Sequence, residues 1–336
     1  MKRSLIRLSL PLREPFATAT GVVAARELLL LRIEDERDGA VGYGEAAPFE
    51  PYDGVPLDTV VDALSNGGSD APPQARTAEE MARLDLEARR EGRPLGEPGA
   101  ERIAVNRTLP AGPPDEVAAR AREGVREGFA CFKLKIGLPD DVERVAKVRD
   151  AIGPWPALRV DANGAWTVDE AIEAIRALMP YDLQLVEQPC RTLEEMAEVK
   201  RSVTVPVAAD ESVATAEDVR AAAEAGACDT VNVKLAASGG FTAARAALRQ
   251  AGESGLGAFL SSTLDGPWGI AAALQLAASE KISLACGLAT LELFDASLAR
   301  ALPPPVQGLM AVPQGPGLGV RVDEDAIAEV LVEELA

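Results

Sequence analysis

Residues 132–161 read FKLKIGLPDDVERVAKVRDAIGPWPALRVD. The stretch opens on a short apolar run, Phe132 to Ile136, with Lys133 and Lys135 at alternate positions. It then places Val142, Val145, Val148 and Ile152 on one helical face and closes on a second apolar run, Leu158 to Asp161. A side-chain period of two, then one of 3.6, then two again describes a strand, a helix and a second strand. The same unit recurs outward from this stretch. Further strands are predicted at Ile103 to Thr108, Leu183 to Glu187, Val205 to Asp210, Thr230 to Leu235, Ala258 to Ser262 and Ser283 to Gly287, and Val168, Ile172, Ile175 and Leu178 mark another helix face. Eight strands alternating with helices predict an α/β fold, a modified (β/α)8 barrel of the TIM type, with its chemistry at the carboxyl ends of the strands.

The chain before this region has a different pattern. Ser4 to Leu12, Glu27 to Glu34 and Val41 to Glu45 alternate like an antiparallel meander, with Asp38-Gly39 as a turn. A polar stretch, Asn66 to Gln74, precedes a helical run from Thr77 to Arg90 that Gly92 and Pro94 end. Residues 1–98 are therefore expected to form an α+β capping domain and 99–304 the barrel. The tail 305–336, with GLGV at 317–320 and a short acidic helix, is expected to pack back on the cap.

Composition narrows the chemistry. The 336 residues carry a net charge of −19, which repels nucleic-acid phosphates and anionic membrane surfaces, so neither is an expected partner. Every apolar run is broken well short of a membrane span, no signal-peptide core follows the amino terminus, and a cytoplasmic location is expected. The four cysteines have no metal or disulfide spacing. There is no histidine, which excludes histidine-based triads and leaves carboxylates, lysines and cysteines to do any chemistry. A small-molecule carboxylate is the expected partner, and a homo-oligomer is left open.

Charged residues end five consecutive predicted strands: Lys133 and Lys135, Asp161, Glu187, Asp210 and Lys234, with steps of 26, 26, 23 and 24 residues from Lys135 onward. Each step is one strand–helix unit, so all six return to the same end of the barrel. One such acid alone is explained by a helix cap or a lysine pair. Three on neighbouring strands repel one another unless a cation lies between them, and hard oxygen ligands select Mg2+ or Mn2+ over zinc. The lysines either neutralise this cluster or supply a base, and a base must be neutral although an ordinary lysine titrates near ~10.4.

The segments FKLKIG (132–137), VDANGAW (160–166), VEQP (186–189), ADES (209–212) and NVK (232–234) resemble the enolase superfamily, in particular its muconate-lactonizing subgroup. GYGEAAP (42–48) and the helix end at 82–95 extend the likeness to the cap. The resemblance implies that Asp161, Glu187 and Asp210 bind Mg2+, that Lys135 and Lys234 face each other across the substrate with Lys133 supporting Lys135, and that Asn163 and Glu211 lie just outside the metal ligands. It also implies loops around Thr18 to Gly21, including Thr20, and around Phe49 to Tyr52, including Tyr52, that close the mouth over substrate. Asp265 falls where relatives carry an acid able to interact with the catalytic lysine; a helix N-terminal acid is the alternative. The eighth strand end, ACGLAT (285–290), lacks the paired aspartates of dipeptide epimerases and, with VEQPC (186–190) and Ser261-Ser262, is similar to o-succinylbenzoate synthases. By that likeness the chain is a lyase, a dehydratase of menaquinone biosynthesis, with Ser261, Ser262 and Gly287 touching a succinyl arm. Muconate-type cycloisomerases and N-acylamino acid or dipeptide racemases and epimerases share the frame, and a non-catalytic metal-binding barrel is the remote alternative.

Overall fold

The computed structural model describes residues 1–18, 21–67, 70–321 and 323–335. The chain opens with a long antiparallel hairpin, β1 (Lys2–Thr18) and β2 (Gly21–Asp35), followed by β3 (Ala40–Ala46) paired antiparallel to β2. The consecutive leucines 28–31 of β2 are all buried because the strand is covered on both faces. Leu28 and Leu30, with Leu8 and Leu10, join the barrel core, whereas Leu29 and Leu31 join a separate cluster with Val60, Leu64 and Ala78. After the short α1 (Glu50–Asp53), the helices α2 (Leu57–Asn66) and α3 (Pro73–Arg90) supply the helical side of the second cluster. The helix expected from Thr77 thus begins four residues earlier, with Pro73 in its first turn, where a missing N–H costs nothing. α3 lies hard against β3: a Cβ at Gly42 or Gly44 would overlap the carbonyl oxygens of Ala82 or Ala78.

The first predicted barrel strand divides into β4 (Arg102–Ala104) and β5 (Arg107–Leu109). After it come α4 (Pro114–Arg126), β6 (Cys131–Lys135), α5 (Asp141–Ile152), β7 (Ala157–Asp161), α6 (Val168–Leu178), β8 (Leu183–Glu187) and α7 (Leu193–Ser202). The series continues with β9 (Val207–Ala209), α8 (Ala216–Glu224), β10 (Thr230–Val233), α9 (Leu235–Ser238), α10 (Phe241–Glu253), β11 (Gly257–Leu260) and α11 (Pro267–Ser279). Strands β5 to β11 form a parallel seven-stranded sheet in sequential order. The segment 283–287, expected as an eighth strand, contributes bridges from Cys286 to Val105 and from Gly287 to Ser261. Gly287 N–H donates to Leu260 O at 2.8 Å and Asn106 N–H to Cys286 O at 3.0 Å, so this irregular segment closes the barrel. α7 and α8 each start on a capping box, Thr192 with Glu195 and Thr215 with Asp218, which satisfies otherwise unpaired amides.

The tail touches both units. β12 (Leu309–Ala311) pairs with β4, and after α12 (Glu324–Val330) the strand β13 (Leu331–Glu334) adds antiparallel to β1. The cap is therefore built from both ends of the chain. α11 is buried from Pro267 through Ala278, which explains its lack of a polar face. No helix among the described residues is long and apolar enough to cross a membrane.

Candidate active site

On β6, Cys131, Lys133 and Lys135 alternate with Phe132 and Leu134, and the parallel register sets Lys133 beside Arg159 and Lys135 beside Asp161. Asp161 in turn lies beside Glu187 on β8. Each apolar partner faces the helices and each charged one the barrel interior, as a period of two requires. Asp210 and Lys234, at the ends of β9 and β10, complete the ring.

Oxygen atoms of Asp161, Glu187 and Asp210 all lie within 4.8 Å of one another, and the three residues are buried. Lysines hold the cluster. Lys133 Nζ lies 2.9 Å from Asp161 Oδ2 and 2.8 Å from Glu187 Oε1, and Lys135 Nζ lies 2.6 Å from Asp161 Oδ2. Lys234 Nζ is ion-paired with Asp210 Oδ1. Burial would lower the pKa of Lys133, but the carboxylates of Asp161, Glu187 and Asp210 outweigh it and raise it. Burial likewise pushes the Asp161 carboxyl up, and the opposing Lys133 and Lys135 bring it below the usual range. Glu187 is raised by burial, with Asp161 and Asp210 adding to the effect. Its Oε2 is buried without a hydrogen-bond partner. Such an orphan acceptor beside two further carboxylates suits a hard divalent cation, and this donor set fits magnesium or manganese.

Around the cluster, Lys135 Nζ donates to Asn163 Oδ1 at 2.8 Å, and Asn163 Nδ2 donates to Glu211 Oε1 at 2.8 Å. Tyr52 reaches in from the cap: its hydroxyl accepts from Lys234 Nζ at 2.9 Å and donates to Asp210 Oδ1 at 3.0 Å, with the Lys234 nitrogen 4.4 Å from its ring centroid. Burial and the Asp210 charge raise the Tyr52 phenol well above its ordinary value. These groups open on a cavity of about 100 Å³, also lined by Ser261, Ser262, Thr263 and Gly287. Ser261 Oγ is buried without a partner, whereas Ser262 Oγ and Thr290 Oγ1 share a hydrogen bond of 2.9 Å.

Two sequence expectations stand apart. Asp265 is buried and accepts from the amide and hydroxyl of Thr263, at 3.1 and 3.0 Å; among the described residues it hydrogen-bonds no lysine, and the charge of Lys234 acts on it only at longer range. Thr20 lies outside the described residues. Thr263 and Thr290 in the cavity wall, and Asn232 and Gln188 beside the acids, are site residues that the sequence reading does not single out. Asn232 Nδ2 donates to Glu187 Oε1 at 2.8 Å; its position two residues before Lys234 on β10 was the available signal. Gln188, in the left-handed region at φ 37°, turns its Oε1 to the Asp210 amide at 2.8 Å.

Lysines beside an acid cluster fitted to a divalent cation, under a cap side chain, are equipment suited to removing a proton next to a carboxylate. The family described as enolase C-terminal domain-like matches residues 116–326. The chain belongs to the enolase superfamily. Among superfamily relatives, an o-succinylbenzoate synthase of Thermobifida fusca (strain YX) is 37% identical over 98% of this chain and 92% of its own. The muconate lactonizing enzyme of Pseudomonas fluorescens, solved with muconolactone, superposes with a TM-score of 0.91 at 26% identity, covering 98% of each chain. A dipeptide epimerase of Enterococcus faecalis V583, solved with Mg and the dipeptide L-Leu-L-Tyr, gives 0.88 at 28% identity over 96% of this chain and 99% of its own. Superfamily membership confirms the recognition made from the strand-end motifs, including the muconate-lactonizing branch.

Proposed function

We propose that this enzyme is a Mg2+-dependent o-succinylbenzoate synthase, dehydrating a succinylated hydroxy-cyclohexadiene carboxylate in menaquinone biosynthesis. The observation that carries this reading is the far wall of the cavity. Ser261, Ser262, Thr263 and Thr290 offer hydroxyls there, and among the described residues no carboxylate lines that wall to hold a dipeptide's ammonium. The identity to the Thermobifida fusca synthase supports the same choice.

Asp161, Glu187 and Asp210 would hold the cation, which when bound supplies positive charge facing the substrate carboxylate. Lys135 takes the α-proton at Nζ, with Asn163 fixing the direction of that nitrogen. The electron pair left on carbon moves into the ring as the neighbouring hydroxyl departs, Lys135 returns the proton to it, and water leaves an aromatic product. Lys234, held by Tyr52 and Asp210, presents its ammonium to the opposite face of the ring. Tyr52 and Phe49 exclude water from above.

Lys135 and Lys234 both reach the cavity, and a two-base racemase or epimerase acting on an N-acylated amino acid uses the same pair. Incubating the magnesium-loaded enzyme with each substrate separates the readings. Appearance of the succinylbenzoate absorbance is expected; no such product, together with solvent-deuterium incorporation into an N-succinylated amino acid, replaces the dehydratase by the racemase.

A further inference from the structure

Arg26 on β2 is 4% exposed and, among the described residues, makes no direct contact with a carboxylate, although Asp265, Asp53 and Glu45 surround it at longer range. Its guanidinium donates to three carbonyl oxygens in two distant segments. Nη1 reaches Pro48 O at 2.8 Å and Nη2 reaches Ala47 O at 3.2 Å, both in the cap, while Nε reaches Thr263 O at 3.2 Å, in the loop after β11. The same group stacks 4.7 Å above the Phe49 ring. A planar fork with fixed donor directions can hold three acceptors in one arrangement, which an ammonium on a flexible stem cannot.

Both stapled segments line the cavity. Phe49 begins a tight helical turn whose geometry Asp53 fixes: Asp53 Oδ2 accepts from the Phe49 amide at 2.9 Å and from Gln74 Nε2 at 2.7 Å. Where Phe49 is placed, Tyr52 follows, and with it the hydroxyl on Lys234. On the barrel side, Thr263 continues the wall begun by Ser261 and Ser262. One turn further on, Glu45 repeats the stitch, accepting from the amides of Gly266 at 2.7 Å and Gly269 at 3.3 Å.

We propose that Arg26 is a positioning residue that fixes the width of the substrate cavity by holding the capping loop 47–53 and the loop 261–265 in one register. It touches no reacting atom; it acts through Phe49, Tyr52 and Thr263. The inference rests on the proposed activity for its kinetic consequence but not for its structural one. A substrate arm lying between the two walls is bound less well when they part, while proton removal on the metal side is little changed.

The test uses the full-length, magnesium-loaded chain with Arg26→Met and Arg26→Lys, read first by hydrogen–deuterium exchange. Peptides spanning 47–55 and 261–266 are expected to exchange about tenfold faster together in both variants, with α7 unchanged. Wild-type protection of either segment in Arg26→Met, an equal rise in α7, or full protection in Arg26→Lys overturns the staple. In the dehydration assay, KM is expected to rise about tenfold with kcat within about threefold; a fall in kcat at constant KM overturns the positioning role. If wild-type enzyme does not dehydrate that substrate, the functional reading fails, and the exchange result still decides the staple.

Discussion

Glu45 is a carboxyl on β3 enclosed by the start of α11, 3% exposed. Burial, and next the charge of Asp265, push its pKa up to about 8 against the amides of Gly266 and Gly269 and the Arg26 charge. The folded chain therefore keeps a proton that the unfolded chain releases near 4.5. Its contribution to stability is greatest below that pH, falls as pH rises toward 8, and is level above it. Glu45→Gln retains an oxygen for the Gly266 amide and removes the titration. Urea denaturation at intervals from pH 5 to 9 is expected to show a shallower alkaline loss for the variant; parallel profiles would assign the titration to another group. At the same scale, Lys135→Ala is expected to lower kcat for dehydration by about 10² to 10⁴-fold, measured as formation of the aromatic product, with folding monitored by circular dichroism. Residues that end strands were legible in the sequence because a period of two puts Lys133 and Lys135 on one face, and steps of one strand–helix unit return Asp161, Glu187 and Asp210 to one rim. Asn232 obeys the same rule and could have been read from it. Arg26 could not, since its partners lie on different units and no local pattern records a fold-wide approach.

Elements show a similar division. Helix faces and the middle strands were legible because each carries its own periodicity. The eighth strand was misjudged: 283–287 alternates weakly and is held by single bridges to Val105 and Ser261. The first strand was predicted as one run, yet its two halves have different partners. β4 pairs with β12 from the tail, about two hundred residues later, while β5 pairs with β6, and only the assembled chain contains that choice. The contact between β3 and α3 is an element-scale feature with a sharp test. At Gly44 an added methyl meets backbone atoms of α3, which cannot rotate away as a side chain would. Gly44→Ala is expected to destabilise the chain by about 1–3 kcal/mol, read from urea midpoints. Gly39→Ala, with no neighbour within 4 Å, carries only the strain of φ 70° and is the control.

For the molecule as a whole, a cation held by the acid triad would couple its binding to folding. Three buried carboxylates sit at the ends of three successive strands, and only the folded barrel brings their oxygens within 4.8 Å. The unfolded chain has no equivalent site, so a cation that binds there favours the folded state by RT ln(1 + [L]/Kd), about 2.7 kcal/mol at a hundred times Kd. Lys133 and Lys135 already neutralise Asp161 and Glu187, and binding must displace part of that pairing, which sets the affinity below what the bare triad would give. Thermal unfolding with rising Mg2+ is therefore expected to show a progressive increase in midpoint that chelation reverses. Glu187→Gln should remove most of that increase, because it takes the charge from the residue whose Oε2 has no protein partner. Glu45→Gln should keep it, since that carboxyl belongs to the seam between cap and barrel. An increase of equal size in all three proteins would mean that magnesium acts elsewhere on this strongly acidic surface, and the triad would lose its assignment.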